Sequence, residues 1–301
     1  MKSPVLFQNQ PVIELSDGKS RLRVAPEHGA RILSWDYEGR PVIAWPEDAD
    51  WGNILKVRGG DPILFPFVAR HFVDGKIDFW RDGDGIVRPM PMHGFARDAK
   101  FGVVEEDRTD TLRMRLIESR QTRGLYPFAF QFDVVVALRG AELEIAFETT
   151  NRGDGPLPYY AGHHFYLAIP HGERADWNLH LPCAAWGWQN ADGSIRRVPA
   201  ASADLSLGDP ALVDRFQIGP AEPRLALRNA RNGRGLSFNL APPRSLPWYA
   251  VTTWTQAPQA DFYCVEPWLG LPNAIHHGEG LRMLGAGETE RAAVSLDASA
   301  W

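Results

Sequence analysis

Phe128-Ala129-Phe130-Gln131-Phe132-Asp133-Val134-Val135-Val136-Ala137-Leu138, a break at Arg139-Gly140, then Leu143-Glu144-Ile145-Ala146-Phe147-Glu148 is the passage that decides the fold class. Aromatic and β-branched residues dominate it, and the glycine at its midpoint suits a reversal of direction. It therefore reads as a long β-hairpin whose first strand is mostly buried and whose second half is exposed. No helix-period stripe competes with that reading.

The same grammar extends in both directions. Val12-Ile13-Glu14-Leu15, the turn residues Ser16-Asp17-Gly18-Lys19 and Leu22-Arg23-Val24 predict a second hairpin, followed by a strand at Arg31-Ile32-Leu33-Ser34-Trp35 and a turn at Glu38-Gly39. Leu112-Arg113-Met114-Arg115-Leu116 alternates apolar with charged residues, the mark of a strand with one wet face. Further strands are expected at 224–227, 236–240 and 248–254. Glycine and proline make up about a sixth of the chain and are spread throughout, as many turns require. The protein is thus expected to be all-β. Residues 177 to 220, rich in Gly, Asp, Ser and Pro, read as long loops around short strands. Strand patterns resume beyond them without a change of character, so a single domain over 1–301 is expected.

Charge and cysteine content narrow the function. With 32 Lys+Arg against 37 Asp+Glu the net charge is -5, which offers no broad cationic surface for nucleic acid or for an anionic membrane. Only Cys183 and Cys264 are present, at no metal-like spacing, which disfavours a disulfide scaffold or thiolate zinc site and suits a reducing cytoplasm. Neither a signal peptide nor a membrane-length apolar run is evident, so a soluble, unexported protein with a small-molecule ligand is expected.

Three separated segments carry candidate chemistry: Met92-His93-Gly94-Phe95-Ala96-Arg97, Gly162-His163-His164-Phe165-Tyr166 and Tyr263-Cys264-Val265-Glu266-Pro267-Trp268. Strand alternation puts Glu266 on the face of Phe262 and Cys264, and Pro267 marks a strand end or edge, so the carboxylate is expected at a rim. Apolar neighbours would raise its proton affinity and make it a usable base. Adjacent histidines on a strand point to opposite faces, so only one of His163 and His164 can address a given pocket, and they cannot share a metal. His93 sits where prolines stiffen the approach and Gly94 permits a tight turn. A hydrogen-bonded core position is the plainer reading for each histidine taken alone. Arg58, Arg70 and Arg97 could grip hydroxyls or a phosphate, and Trp268 could stack on a ring. No His-Glu-x-x-His pattern points to a metal site, and the glycines near Arg58 lack the lysine of a phosphate loop.

In order and wording these motifs resemble one family. Gly60-x-Pro62-x-x-Phe65-Pro66, His93-Gly94-Phe95-Ala96-Arg97, Gly162-x-His164, Val265-Glu266-Pro267-Trp268, and Leu281 with Gly285-Ala286-Gly287-Glu288 are similar to the aldose 1-epimerases, or galactose mutarotases, and their hexose-6-phosphate relatives. The likeness runs from about Val12 to about Val294 and includes Ala30-Arg31-Ile32-Leu33-Ser34. It implies a β-supersandwich of large twisted antiparallel sheets with an open sugar cleft. It also implies interconversion of α and β anomers without metal or organic cofactor, with Glu266 as base, His164 as acid and His93 in support.

Departures from the family pattern leave details open. Phe165 follows the second histidine where the family commonly has proline, so His163 is an alternative register. Ala69-Arg70 stands where galactose mutarotases show an asparagine-arginine pair, which assigns Arg70 to substrate binding. Asp214 matches a family aspartate that binds sugar hydroxyls. Arg58 and Arg97 resemble the hexose-6-phosphate branch. Two other classes compete: a silent carbohydrate-binding protein, given eleven Trp residues, and a glycosidase, which would need a second carboxylate opposite Glu266.

Overall fold

The computed structural model describes residues 1–301. An eleven-stranded and a nine-stranded antiparallel sheet dominate it, and helices are confined to short turns. The predicted hairpin is the centre of the nine-stranded sheet, with Phe130–Arg139 paired along its length to Glu142–Asn151. Thr111–Ile117 and Thr289–Asp297 flank it.

Register explains why these residues form this sheet. Leu112, Val136, Ile145 and Val294 lie directly opposite one another across four strands and are all fully buried. Three residues along, the other face carries Arg115, Asp133, Glu148 and Arg291 in the same cross-strand row. Opposite charges face each other there: Arg115 reaches Asp133 at 2.7 Å, and Arg113 reaches Glu148 at 2.6 Å. A one-residue slip would bury the charges and expose the apolar row, so the pairing is strongly specified. The second strand of the hairpin is therefore not the exposed one that was expected. It is central in its sheet, with Leu143, Ile145 and Phe147 turned into the core.

The eleven-stranded sheet begins with an edge strand at Lys2–Phe7 that the sequence reading did not name, followed by Gln10–Ser16, Ser20–Ala25 and Arg31–Tyr37 near the predicted positions. It continues through Arg40–Ile43, Phe165–Leu167, Tyr263–Trp268, Ala250–Trp254 and Arg215–Pro220. Residues 177 to 220 are more regular than their composition suggested. Trp177–His180 and Asp204–Ser206 join the nine-stranded sheet, while Cys183–Gln189 and Arg215–Pro220 join the other. Pro267 does stand at the end of its strand, one residue before Trp268, but the strand is not an edge. Tyr263–Trp268 has a partner strand on each side, and Pro267, opposite Val251, still contributes a carbonyl that accepts from His163 N–H at 3.0 Å.

Between the sheets lies one core cluster of 66 buried residues drawn from both. Phe65 is at its centre, stacked on Phe132 at 4.1 Å and in edge contact with Phe95 and Tyr126. Its carbonyl also abuts Gly94, whose φ of +75° and lack of Cβ allow an approach that a methyl group would bring to 2.1 Å. Core packing and the loop bearing His93 thus share one residue. No helix is long and apolar enough to cross a membrane. Truncation of Phe65 to alanine should cost about 3–5 kcal/mol, read as a lower urea midpoint at unchanged slope; a midpoint within error of the parent would contradict this placement of the core.

Candidate functional site

The outer face of the eleven-stranded sheet carries a cleft of about 780 Å³. It is lined by every residue named from the sequence as catalytic or substrate-binding: Glu266, His164 and His93, then Arg58, Arg70, Arg97, Asp214 and Trp268. Register brings the first two together. Phe165 pairs with Val265, which sets His164 opposite Glu266 on the cleft face, and Thr252 follows opposite Glu266 on the next strand. Glu266 is 2% exposed, so it lies in the cleft floor rather than at a rim. Its Oε1 stands 3.5 Å from His164 Nε2, while Oε2 is buried without a protein partner.

Strand geometry separates the two histidines. His163 points into the core, sandwiched between Phe147 and Phe165, and is fully buried. Its Nδ1–H donates to Asp61 Oδ2 at 2.8 Å, and the other oxygen of that carboxylate accepts from the His164 backbone N–H at 2.7 Å. A single buried acid therefore anchors the ring behind the site and the backbone of the residue within it. Gly60, at φ +75°, lets this segment press against the Ile32 carbonyl. The His164 ring is stacked on Tyr166 at 4.8 Å and edged by His93 and Trp254.

His93 is held reciprocally by Ala69. The His93 N–H donates to the Ala69 carbonyl at 2.8 Å, and the Ala69 N–H donates to His93 Nδ1 at 3.0 Å. Accepting at Nδ1 leaves the proton of the neutral ring on Nε2, which makes His93 a hydrogen-bond donor. Both residues have positive φ, at 67° and 57°. Asp214, on the cleft wall, shares that conformation at 56°.

Burial sets the proton affinities. It pushes the Glu266 carboxyl well above the ordinary carboxylate range, with Asp214 and Asp61 adding in the same direction. It pushes His164 down to about 3, with Arg97 and Arg31 adding to the effect. His93 is likewise held well below its usual value by burial, then by Arg97 and His164. Both members of the central pair are driven toward their neutral forms, and a single proton on the pair rests on Glu266.

The cationic residues have different duties. Arg31, 1% exposed, spends its guanidinium on the carbonyls of Ile54, Val57 and Gly59 and so shapes the loop that presents Arg58. Arg58 lies over the Trp254 ring at 5.7 Å. Arg97 donates to the Met92 carbonyl at 2.7 Å, while its Nε is buried and unpartnered. Arg70 is exposed on the cleft wall. Trp268 is only 3% exposed and its indole N–H donates to the His163 carbonyl, so it serves as a wall more than as an open platform. The less buried aromatic faces in the lining belong to Trp254, Trp188 and Phe72. The sequence reading missed Asp61, Tyr166 and the structural duty of Arg31. Asp61 stood within the quoted Gly60-x-Pro62 motif, but its partners lie about a hundred residues away.

Comparison with known proteins places this architecture in company. A family model described as aldose 1-epimerase matches residues 11–181, more than half of the chain. The chromosomal LacX protein of Lactococcus lactis subsp. lactis is 23% identical over 253 residues, covering 78% of this chain and 80% of that protein. The Slr1438 protein from Synechocystis sp. PCC 6803 has a similar structure, with a TM-score of 0.83, 25% identity and 96% coverage of both chains. A structure described as a galactose mutarotase related enzyme from Lactobacillus acidophilus superposes with a TM-score of 0.79 at 22% identity, over 95% of this chain and 96% of its own.

Proposed function

Because the chain belongs to the aldose 1-epimerase family, we propose that it interconverts the α and β anomers of a hexose, with Glu266, His164 and His93 as the working groups. The observation that carries this reading is the Glu266–His164 pair, 3.5 Å apart on the floor of a sugar-sized cleft with opposed shifts in proton affinity. The reacting form is the ionic tautomer of the pair, in which the proton that rests on Glu266 has moved to His164 Nε2, 3.5 Å away; the Glu266 carboxylate then takes the proton from the O1 hydroxyl. The O1–H electrons form the C1 carbonyl, the bond from C1 to the ring oxygen breaks, and that oxygen takes a proton from the His164 imidazolium. Rotation about C1–C2 presents the other carbonyl face. The reverse transfers then close the ring and restore both groups.

Ring opening converts a carboxylate and an imidazolium into an acid and a neutral imidazole. Burial favours that neutral combination, so the ring-breaking step recovers the free energy that forming the ionic tautomer cost. His93 Nε2–H is suited to donate to a sugar oxygen or to the charge that develops on it. Proton transfer and positioning suffice for the reaction, which calls for neither a metal nor an organic cofactor.

Retention of a base, an acid and a donor on one floor favours catalysis over carbohydrate binding alone. The glycosidase alternative has less support. Asp214, the other carboxylate in the lining, is exposed on the cleft wall, and the carboxylate nearest the floor, Asp61, is committed to His163 and the His164 backbone. A second substrate reading, a hexose bearing a phosphate, draws on Arg58 and on the unpartnered Nε of Arg97.

Polarimetry on fresh α-glucose, α-galactose and glucose 6-phosphate tests the proposal. Acceleration with at least one sugar is expected, with losses of about 10²–10⁴ in kcat for Glu266→Gln and for His164→Ala. No acceleration with any aldose would end the epimerase reading, and full activity in both variants would end the residue roles. If the substrate is phosphorylated, Arg58→Ala should raise its KM by about tenfold or more; an unchanged KM would remove Arg58 from phosphate binding.

A further inference from the structure

Cys264 has no part in the reaction above, yet it stands beside the reacting pair. It lies two residues before Glu266 on the same face of Tyr263–Trp268, and Tyr166, two residues after His164, is its cross-strand partner. One ligand atom from each of His164, Cys264 and Glu266 lies within 4.8 Å of the other two, and all three residues are buried. His164 Nε2 and Glu266 Oε1 make no hydrogen bond with each other at their 3.5 Å separation, and Glu266 Oε2 has no protein partner. We propose that these three side chains form a binding site for a thiophilic divalent cation, of the zinc or cadmium class, and that its occupancy blocks the proton-transfer pair.

The donor set suits such an ion. Zinc accepts sulfur at about 2.3 Å and nitrogen or oxygen at about 2.0–2.2 Å, which sets tetrahedral ligands roughly 3.5 Å apart. The histidine and glutamate already have that spacing. Only the thiol has to swing inward, by about 1 Å. His164 would bind as a neutral imidazole through Nε2, while the Cys264 thiol and a protonated Glu266 would each release a proton to solvent. The ion's charge is then balanced by thiolate and carboxylate.

A fourth position would face the cleft, open to water or to a sugar hydroxyl. The surroundings both oppose and assist binding. Arg31, Arg58 and Arg97 bring positive charge near His164, whereas Asp61 and Asp214 bring negative charge near Glu266. The thiolate therefore decides which ions enter: hard cations such as magnesium, which prefer oxygen ligands in octahedral array, find no such set here. The inhibitory consequence rests on the epimerase reading, but the binding itself does not.

Cadmium titration of the full chain tests the site through the ultraviolet thiolate-to-cadmium charge-transfer band. A saturable band at one equivalent is expected, retained in Cys183→Ser and lost in Cys264→Ser, with calorimetric affinity for cadmium falling about tenfold or more in the latter. Cys264→Ala provides the same comparison should a serine hydroxyl disturb the aromatic surroundings. Absence of a saturable band in the parent protein, or its survival without Cys264, would overturn the site. Zinc should also inhibit mutarotation at lower concentration in the parent than in Cys264→Ala; equal inhibition would overturn the blocking role. A cadmium band in a protein without mutarotase activity would leave the site standing and reject only the functional reading.

Discussion

Everything at the cleft depends on the carboxylate of Asp61. One oxygen holds a histidine ring in the core and the other holds the backbone of the next histidine, so the strand that crosses from core to cleft is clamped where it changes duty. Because successive side chains alternate, fixing His163 inward forces His164 outward. Antiparallel pairing with Tyr263–Trp268 then determines that His164 faces Glu266. A chain of three local constraints thus places an acid and a base within reach of one sugar ring. None of them involves a long-range electrostatic device.

The second principle is dehydration. Glu266 and His164 each lie in surroundings that disfavour charge, yet they titrate in opposite directions because one is anionic and the other cationic when charged. The two effects together keep one proton within the pair. Arginines around the floor act mainly through His164, lowering its proton affinity further, and Arg31 does so while holding together the loop that carries Arg58. The same dry floor gives the Cys264 thiol its setting beside the pair. Its acidity is low for the same reason, burial, and a metal ion would have to displace its proton.

Local pattern made much of the fold legible. The hairpins at 10–25 and 130–151 follow from alternation and turn residues, and the wet face of Thr111–Ile117 follows from its arginines. Non-local pairing was the hidden part. Nothing near Pro267 announces a strand on either side, which is why Glu266 was expected at a rim and is found in the floor. Nothing near residue 180 tells which short strand joins which sheet. For the site, residue types and their order were readable, but the choice between His163 and His164 required the register with a strand about a hundred residues away. Asp61 was invisible for the same reason, since its significance lies wholly in distant partners.

The pH dependence of kcat/KM with a non-ionising aldose tests most directly the claim that one proton is shared by a desolvated pair. A second proton binds His164 only near pH 3, and the last proton leaves Glu266 well above the usual carboxylate range. The rate should therefore hold steady as pH falls through 6.5 and 4.5, the ordinary histidine and glutamate values, and decline on the alkaline side as Glu266 loses the shared proton. An acid limb near 4.5 together with an alkaline decline near 6.5 would mean that the two groups titrate as ordinary solvated side chains, and would contradict the account.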